Sequence, residues 1–322
     1  MKAIIWTKYG PPEVLQLEEV PKPVPKDREV LIRVHVTTVT AGDCELRRFQ
    51  INPMFWFPLR LAMGLFRPRK KILGQELAGV VEVVGKDVEN FQPGDRVLAA
   101  TGFQFGAYAE YICLPDSHLI SPLPDEMSFE QGATIPTGGL NGLHFVRKAE
   151  IQAGEQVLII GAGGSIGTYA IQLAKMKGAM VTAIDNGEKL EMMRETGADH
   201  VIDYTKDDFT NQDHRYNVII DIVGKGSILR QMKTLTPKGR YILGNPGFSH
   251  IVGGKLTSWL TDKVAILALS GFHVEDFEYL KDLIQTGSIS VVIDQQLPLD
   301  KMVQAHQYVE GGHKKGNLII RL

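Results

Sequence analysis

Gln156-Val157-Leu158-Ile159-Ile160-Gly161-Ala162-Gly163-Gly164-Ser165-Ile166-Gly167 is the stretch on which the fold turns. Its apolar run lacks alternation, the pattern of a strand covered by helices on both faces. Glycines follow at once, and a helical pattern from Ser165 to Lys177 is closed by Gly178. Gly161 and Gly164 allow a tight turn and a close backbone approach to a pyrophosphate, while Gly167 lets the helix pack close to the strand. The N–H groups of the helix start face the phosphate charge. A second strand pattern, Met180 to Ile184, ends at Asp185, where a carboxylate accepts hydrogen bonds from an adenosine ribose and repels a 2′-phosphate. Ala162 holds the first position of the strict G-x-G-x-x-G pattern, so the glycines alone are weak testimony. Strand, turn, helix and acidic residue together predict a nicotinamide dinucleotide site made by Gly161, Ala162, Gly163, Gly164, Ser165, Ile166, Gly167 and Asp185. The plain alternatives are a structural βαβ turn and, for Asp185, a solvated strand end or helix cap.

The chain has 322 residues, a length that suits two domains. Its 35 basic and 37 acidic residues give a formal net charge of -2 with no long basic run, so nucleic acid is not an implied partner. Met1 to Trp6 opens directly into a strand-like run, and the absence of a charged leader before a long apolar region makes a cytoplasmic setting the expectation. Only Cys44 and Cys113 are present, which excludes a disulfide framework and any four-cysteine metal site.

Before the glycine turn the sequence reads as β-rich. Ala3 to Trp6, Leu15 to Glu19, Glu29 to Thr37, Gly79 to Val84 and Arg96 to Ala99 are strand candidates between Pro, Gly and Asp turns, consistent with a small barrel. From Ala153 the pattern becomes that of a doubly wound parallel sheet, with strands at Val181 to Ile184, Val201 to Ile202, Val218 to Asp221, Tyr241 to Gly244 and Val264 to Leu269. Downstream, Glu275 to Gln285 and Asp300 to Glu310 read as helices and Asn317 to Leu322 as a last strand. The expected division is a catalytic domain of residues 1–122 and 271–322 around a dinucleotide-binding domain of 123–270.

This plan resembles the medium-chain dehydrogenase/reductase superfamily, and specifically its zinc-free quinone-oxidoreductase-like branch. The resemblance rests on Glu29 to Val34 with Val39-Thr40-Ala41-Gly42-Asp43, on Leu73-Gly74-Gln75-Glu76-Leu77-Ala78-Gly79-Val80-Val81, on Gly94-Asp95-Arg96-Val97 and on Gly106-Ala107-Tyr108-Ala109-Glu110-Tyr111. Gly161 to Lys175, Gly197 to Tyr204, Asp221-Ile222-Val223-Gly224 and Gly311 to Ile320 continue it over nearly the whole chain. It implies an α/β fold, a Rossmann-type doubly wound sheet plus a GroES-like β-barrel catalytic domain. Zinc-dependent members place a cysteine where Thr40 aligns, a histidine where Gln75 aligns and a second cysteine near Ile135 or Pro136. All three are missing, and hydroxyl and amide groups are poor zinc ligands, so no metal is expected. Glu76, which neighbours the metal in zinc enzymes, is expected to be a structural hydrogen-bonding group.

Without a Lewis acid, ordinary alcohol oxidation loses its main electrostatic aid. The resemblance implies hydride transfer from NAD(P)H to a quinone or an α,β-unsaturated carbonyl, whose developing charge on oxygen is met by hydrogen bonds and a proton. It places the nicotinamide near Thr40, Asp43, Gln75, Asn141, Gly244 and Asn245, with Val223 and Gly224 lining the cofactor. Each has a plainer reading: Asp43 as a helix N-cap, Gln75 as a partner for neighbouring backbone, Asn141 as a cap or packing, Tyr108 as core. A zinc-free reductase of simple aldehydes or ketones and a non-catalytic cofactor-binding protein stand as rivals.

Many zinc-free members carry a serine and a basic residue after the second strand, which accept a 2′-phosphate. Here the run is Ile184-Asp185-Asn186-Gly187-Glu188-Lys189, and its carboxylates predict a preference for NADH, opposed by Lys189. The apolar segment Met54 to Phe66 is too short to span a bilayer, which needs about twenty residues. It reads as a lid over an apolar or aromatic substrate, with Phe55, Trp56, Phe57 and also Phe103 in the pocket, as an interface or membrane-surface patch, or as ordinary packing. Lys263 to Leu269 reads as an apolar edge strand, which predicts a homodimer.

Overall fold

The computed structural model describes residues 1–50, 53–268 and 273–322, with the side chains of 53–55 excluded. The chain divides into two compact units, one formed by Met1–Thr137, His273–Ser288 and Ile293–Leu322, the other by Gly138–Phe272 and Ile289–Val292. The first division falls after Thr137, later than the 122/123 expectation, and Thr137 is tied to its unit because its N–H donates to the Glu76 carboxylate at 2.6 Å. The expected 270/271 break lies outside the described residues.

The first unit begins with the antiparallel pair β1 (Lys2–Trp6) and β2 (Leu15–Glu19). Its main sheet is built on β3 (Glu29–Thr38), which pairs with β4 (Glu76–Val84) and β6 (Tyr111–Pro115); β5 (Arg96–Ala100) and β7 (Ile120–Pro122) continue it beyond β4. On the other side lie β14 (Ile293–Pro298) and β15 (Asn317–Arg321), with Ile320 of β15 opposite Thr37 of β3. That pairing explains why the unit draws on both ends of the chain. Val30, Ile32 and Val34 of β3 interleave with Leu77 and Val81 of β4 in the core, the burial that fixes strand register. β4 starts at Glu76, ahead of the expected Gly79, because Leu77 and Ala78 are already paired with Thr37 and Val36.

Helices α1 (Ala41–Arg48), α2 (Pro53–Met63), α3 (Phe129–Ala133), α9 (Val274–Gln285) and α10 (Met302–Glu310) belong to this unit. α9 buries Phe277, Leu280 and Ile284, the face its spacing predicts. α10 starts two residues after the expected Asp300, which sits in a single tight turn before it. α2 contains most of the apolar 54–66 segment and carries Pro58 inside it. Trp56, Phe57, Leu61, Leu65 and Phe66 are exposed, so ordinary packing does not account for them.

The second unit is a six-stranded parallel sheet in the order β10-β9-β8-β11-β12-β13, formed by β8 (Gln156–Ile160), β9 (Met180–Asp185), β10 (His200–Asp203), β11 (Tyr216–Asp221), β12 (Leu235–Leu243) and β13 (Val264–Leu267). β8 is central and its Val157, Leu158 and Ile159 are fully buried, which is why that run shows no polar alternation. Strand order runs outward from β8 in both directions, so the crevice for a ligand lies at the carboxyl ends of β8 and β11. The helices are α4 (Leu140–Ala149), α5 (Ser165–Met176), α6 (Leu190–Glu195), α7 (Ile228–Lys233) and α8 (Phe248–Leu260). α5 ends at Met176, one residue short of the expected Lys177, which is its C-cap. β13 stops at Leu267, and Leu269 of the expected strand lies outside the described residues. Among the described residues, no helix is long and apolar enough to cross a membrane.

Candidate active site

The glycine turn joins β8 to α5, and its residues differ in what they need. Gly161 adopts φ +82°, and a Cβ there would collide with Val223. Its N–H and that of Ala162 donate to the Ile184 carbonyl at 3.0 and 3.1 Å, fastening the turn to β9. A Cβ on Gly167 would strike the Ala162 backbone, so α5 packs directly on the turn. Gly164 has an ordinary extended backbone, φ -90° and ψ -179°, and a Cβ there would meet only the Gly161 carbonyl, 3.7 Å away. Among the described residues, nothing requires glycine at 164. The space is shaped for a ligand, and Gly164, as N-cap of α5, brings no side-chain acceptor to compete with an anion for the helix start. A dinucleotide pyrophosphate fits this cradle.

Asp185 ends β9 beside the turn. Its Oδ2 accepts from Gly163 N at 2.9 Å and its Oδ1 from Asn186 N at 2.9 Å. Lys189 Nζ lies 2.9 Å from the same Oδ1, and both side chains are buried. The acidic residue expected to face a ribose is thus already paired inside the protein, whereas Glu188 is exposed. The two carboxylates predicted to act together are in different surroundings, because the short turn of Gly187–Lys189 folds Lys189 back onto the strand end.

The far wall of the crevice comes from the ends of β11 and β12. Asp221 Oδ1 accepts from Val223 N at 3.0 Å and Gly224 N at 2.9 Å, fixing the loop that touches Gly161. A Cβ on Gly224, at φ +67°, would collide with the Asn245 carbonyl, so the Val223-Gly224 and Gly244-Asn245 loops lie against each other. The Tyr241 hydroxyl sits between Asp221 Oδ2, at 2.8 Å, and Gln231 Oε1, at 2.7 Å. Burial raises the pKa of the Asp221 carboxyl, while the two N–H groups and the tyrosine oppose it. Sequence reasoning missed Tyr241 and Gln231; the one available signal was an aromatic residue near the end of the strand after Asp221. All the expected cofactor residues therefore gather at one end of one sheet.

In the first unit, Thr40, Asp43 and Gln75 come together. Thr40 is the N-cap of α1: its Oγ1 accepts from Asp43 N at 3.1 Å, and Asp43 Oδ2 accepts from Thr40 N at 3.0 Å, a complete capping box. The Thr40 hydroxyl also lies 2.6 Å from Asp43 Oδ2. Gln75 Nε2 approaches Thr40 Oγ1 at 3.5 Å and Asp43 Oδ1 at 3.4 Å, long contacts that leave the half-buried amide loosely held. Asp43 is fully buried, and loss of water raises its pKa against the opposing hydrogen bonds. The buried Tyr108 hydroxyl feels the Asp43 charge but makes no hydrogen bond of good geometry.

Glu76 is also fully buried. Thr38 donates its hydroxyl to Oε1 and Thr137 its N–H to Oε2, and desolvation pushes its pKa up to about 7. It bridges β3 to the residues after α3, which is the structural part expected of it. Deeper in the unit, Cys44 Sγ lies 3.3 Å from His306 Nδ1, and burial holds that imidazole down to about 3 and thus neutral. Asn141 stands in the first turn of α4, in the other unit. Trp56, Phe57 and Phe103 are exposed on the first unit, Phe103 at 79%, and the Phe55 side chain lies outside the described residues.

The positions aligned with zinc ligands hold Thr40 and Gln75, which face each other, and the buried apolar Ile135 with Pro136. This donor set does not fit zinc. Among the described residues, no other group of three His, Cys, Asp or Glu side chains is placed to hold a metal.

A β-rich unit completed by β14 and β15, joined to a doubly wound sheet with a dinucleotide cradle, is the plan of a two-domain nicotinamide-dependent dehydrogenase. Residues 26–125 match the alcohol dehydrogenase GroES-like domain family, and residues 196–320 the zinc-binding dehydrogenase family. The chain is 30% identical to 2-methylene-furan-3-one reductase of Solanum lycopersicum, over 99% of this chain and 79% of that protein. It resembles the structure of the quinone oxidoreductase from Coxiella burnetii with a TM-score of 0.89 and 29% identity, covering 100% of this chain and 99% of the other. It also resembles Escherichia coli quinone oxidoreductase complexed with NADPH, with a TM-score of 0.85 and 25% identity over 100% and 98% of the two chains. The chain belongs to the medium-chain dehydrogenase/reductase superfamily, in its quinone-oxidoreductase branch. It is an NAD(P)H-dependent oxidoreductase, which removes the non-catalytic reading.

Proposed function

We propose that this oxidoreductase reduces a quinone or an α,β-unsaturated carbonyl without a metal. The observation that carries the reading is the Thr40, Asp43 and Gln75 constellation, which sets hydrogen-bonding groups where zinc relatives place ligands. Reduced nicotinamide supplies the hydride. Conjugated acceptors place the incoming charge on oxygen, where a hydrogen-bond donor and a proton suffice. Gln75, with its weakly engaged amide, turns toward that oxygen; Asp43 and Thr40 hold each other and set its position. Trp56, Phe57 and Phe103 supply apolar contact for the acceptor. Saturated aldehydes and ketones lack the conjugation that spreads the charge, so they are poor substrates. Assay of NAD(P)H oxidation against quinones, enals, enones and saturated aldehydes tests this; equal turnover of saturated and conjugated carbonyls overturns it.

NADH is the preferred cofactor in this reading. The Lys189 ammonium is committed to Asp185, so the turn offers a 2′-phosphate no uncommitted positive charge, and exposed Glu188 opposes it. The protein forms a homodimer through the open edge of β13. Val264 and Leu267 are 45% and 42% exposed there, and α8, whose Ser258 hydroxyl accepts from Ala265 N at 2.8 Å, adds exposed Phe248, Val252, Leu256 and Trp259. Apolar area of this kind supports pairing with a symmetry mate.

A further inference from the structure

We propose that the surface from Leu61 to Lys71 docks this protein on an anionic lipid surface. The inference is independent of the catalytic reading. Residues 60–71 hold Arg60, Arg67, Arg69, Lys70 and Lys71 and no Asp or Glu, in a chain whose formal net charge is -2. The cationic charge is thus local, and Arg67, Arg69, Lys70 and Lys71 are all exposed. Immediately before them come exposed Leu61, Leu65 and Phe66, the last at 84%.

This display is built into the fold. Gly64 ends the helical run at φ +115°, and a Cβ there would collide with the Arg67 carbonyl, so the turn is tight and needs glycine. Three hydrogen bonds hold it: Tyr9 Oη donates to Gly64 O at 2.9 Å, Arg60 Nε to Leu65 O at 2.8 Å, and Arg69 N to Met63 O at 2.7 Å. The Arg60 guanidinium also lies 3.6 Å from the centre of the Tyr9 ring, anchoring the base of the turn. The turn therefore holds Leu65 and Phe66 out to solvent against the hydrophobic effect, with cations beside them. A lipid bilayer satisfies both halves at once, because its acyl boundary accepts apolar side chains while its phosphates attract Lys and Arg. A nucleic acid offers no such apolar layer beside its phosphates.

The full chain is to be sedimented with phosphatidylcholine vesicles, with and without phosphatidylglycerol. Binding is expected only to the anionic vesicles and weakens as salt rises. The double variant K70E/K71E is expected to bind at least about tenfold more weakly, and L65S/F66S to lose the salt-resistant part of binding. Both are expected to keep their unfolding temperature and their turnover of a water-soluble acceptor. Failure of the native chain to bind anionic vesicles at low salt overturns the proposal, as does unchanged binding by both variants. Loss of a concentration-dependent self-association in L65S/F66S also overturns it, since a second copy would then be the occupant.

Discussion

Lys189 Nζ rests 2.9 Å from Asp185 Oδ1, and the two charges bury each other beside the glycine turn. Cofactor choice therefore depends on a balance within the protein as well as on the sign of one residue. Removing the cation in Lys189→Met is expected to raise the ratio of kcat/KM for NADH over NADPH by about fivefold, the factor that a charge interaction of roughly 1 kcal/mol supplies. Asp185→Ser is expected to move the ratio the other way. Steady-state kinetics with both cofactors decides it, and ratios unchanged in both variants overturn the role given to this pair.

Gly164 and Gly161 separate binding from folding. At 164 the backbone suits any residue and the space is open, so Gly164→Ala is expected to leave stability unchanged or raise it by about 0.4–1 kcal/mol while weakening cofactor binding. At 161 a positive φ and contact with Val223 make the same change destabilising by more than about 1 kcal/mol. Thermal unfolding beside dinucleotide titration reads both effects. Equal behaviour of the two variants rules out the division of labour.

Glu76 and His306 give the first unit opposite pH limbs. The folded pKa of Glu76 is raised to about 7 from 4.5, so its favourable contribution is present below pH 4.5 and lost as pH rises through 7. His306 is lowered to about 3 from 6.5, so its contribution is present above pH 6.5 and lost as pH falls toward 3. Glu76→Gln, which can still meet Thr38 and Thr137, is expected to gain relative stability between pH 5 and 8, on the order of 2 kcal/mol. Urea unfolding across that range checks the slope; a wild-type difference that does not vary with pH refutes it.

Metal independence follows from the Thr40 and Gln75 pairing. Dialysis against a chelator is expected to leave turnover and unfolding temperature unchanged. Stoichiometric zinc found by elemental analysis after purification without added metal contradicts the assignment.

The open β13 edge predicts a particle of twice the 35.7 kDa chain mass in sedimentation at micromolar concentration. V264K/L267K, at two exposed positions, is expected to return it to a monomer. A native monomer under those conditions removes the dimer.

The dinucleotide crevice was legible because its residues are close in sequence and each carries a local requirement, as Gly161, Gly167 and Asp185 do. Strand β8 declared itself because burial on both faces removes polar alternation. The Lys189 and Asp185 pairing was not legible: four residues in a chain say nothing of whether a lysine extends into water or folds onto its neighbour, and only the turn at Gly187–Lys189 decides it. Asp43 was legible as a helix N-cap, but the cap itself is Thr40, with Asp43 three residues on completing the box, and the approach of Gln75 depends on the pairing of β3 with β4. Tyr241 and Gln231 met Asp221 through tertiary packing, which leaves no periodic trace.

The place of β15 beside β3 sets an order of events during synthesis. Ile320 lies opposite Thr37, so the first unit's sheet remains incomplete until β15 has left the ribosome. The second unit needs nothing beyond Val292 and is free to close while the rest is still being made. Until then β3 exposes a strand edge along the residues that β15 will cover, and such edges invite wrong partners. Folding of the first unit is therefore gated by β15, and deleting that strand strikes the sheet built on β3.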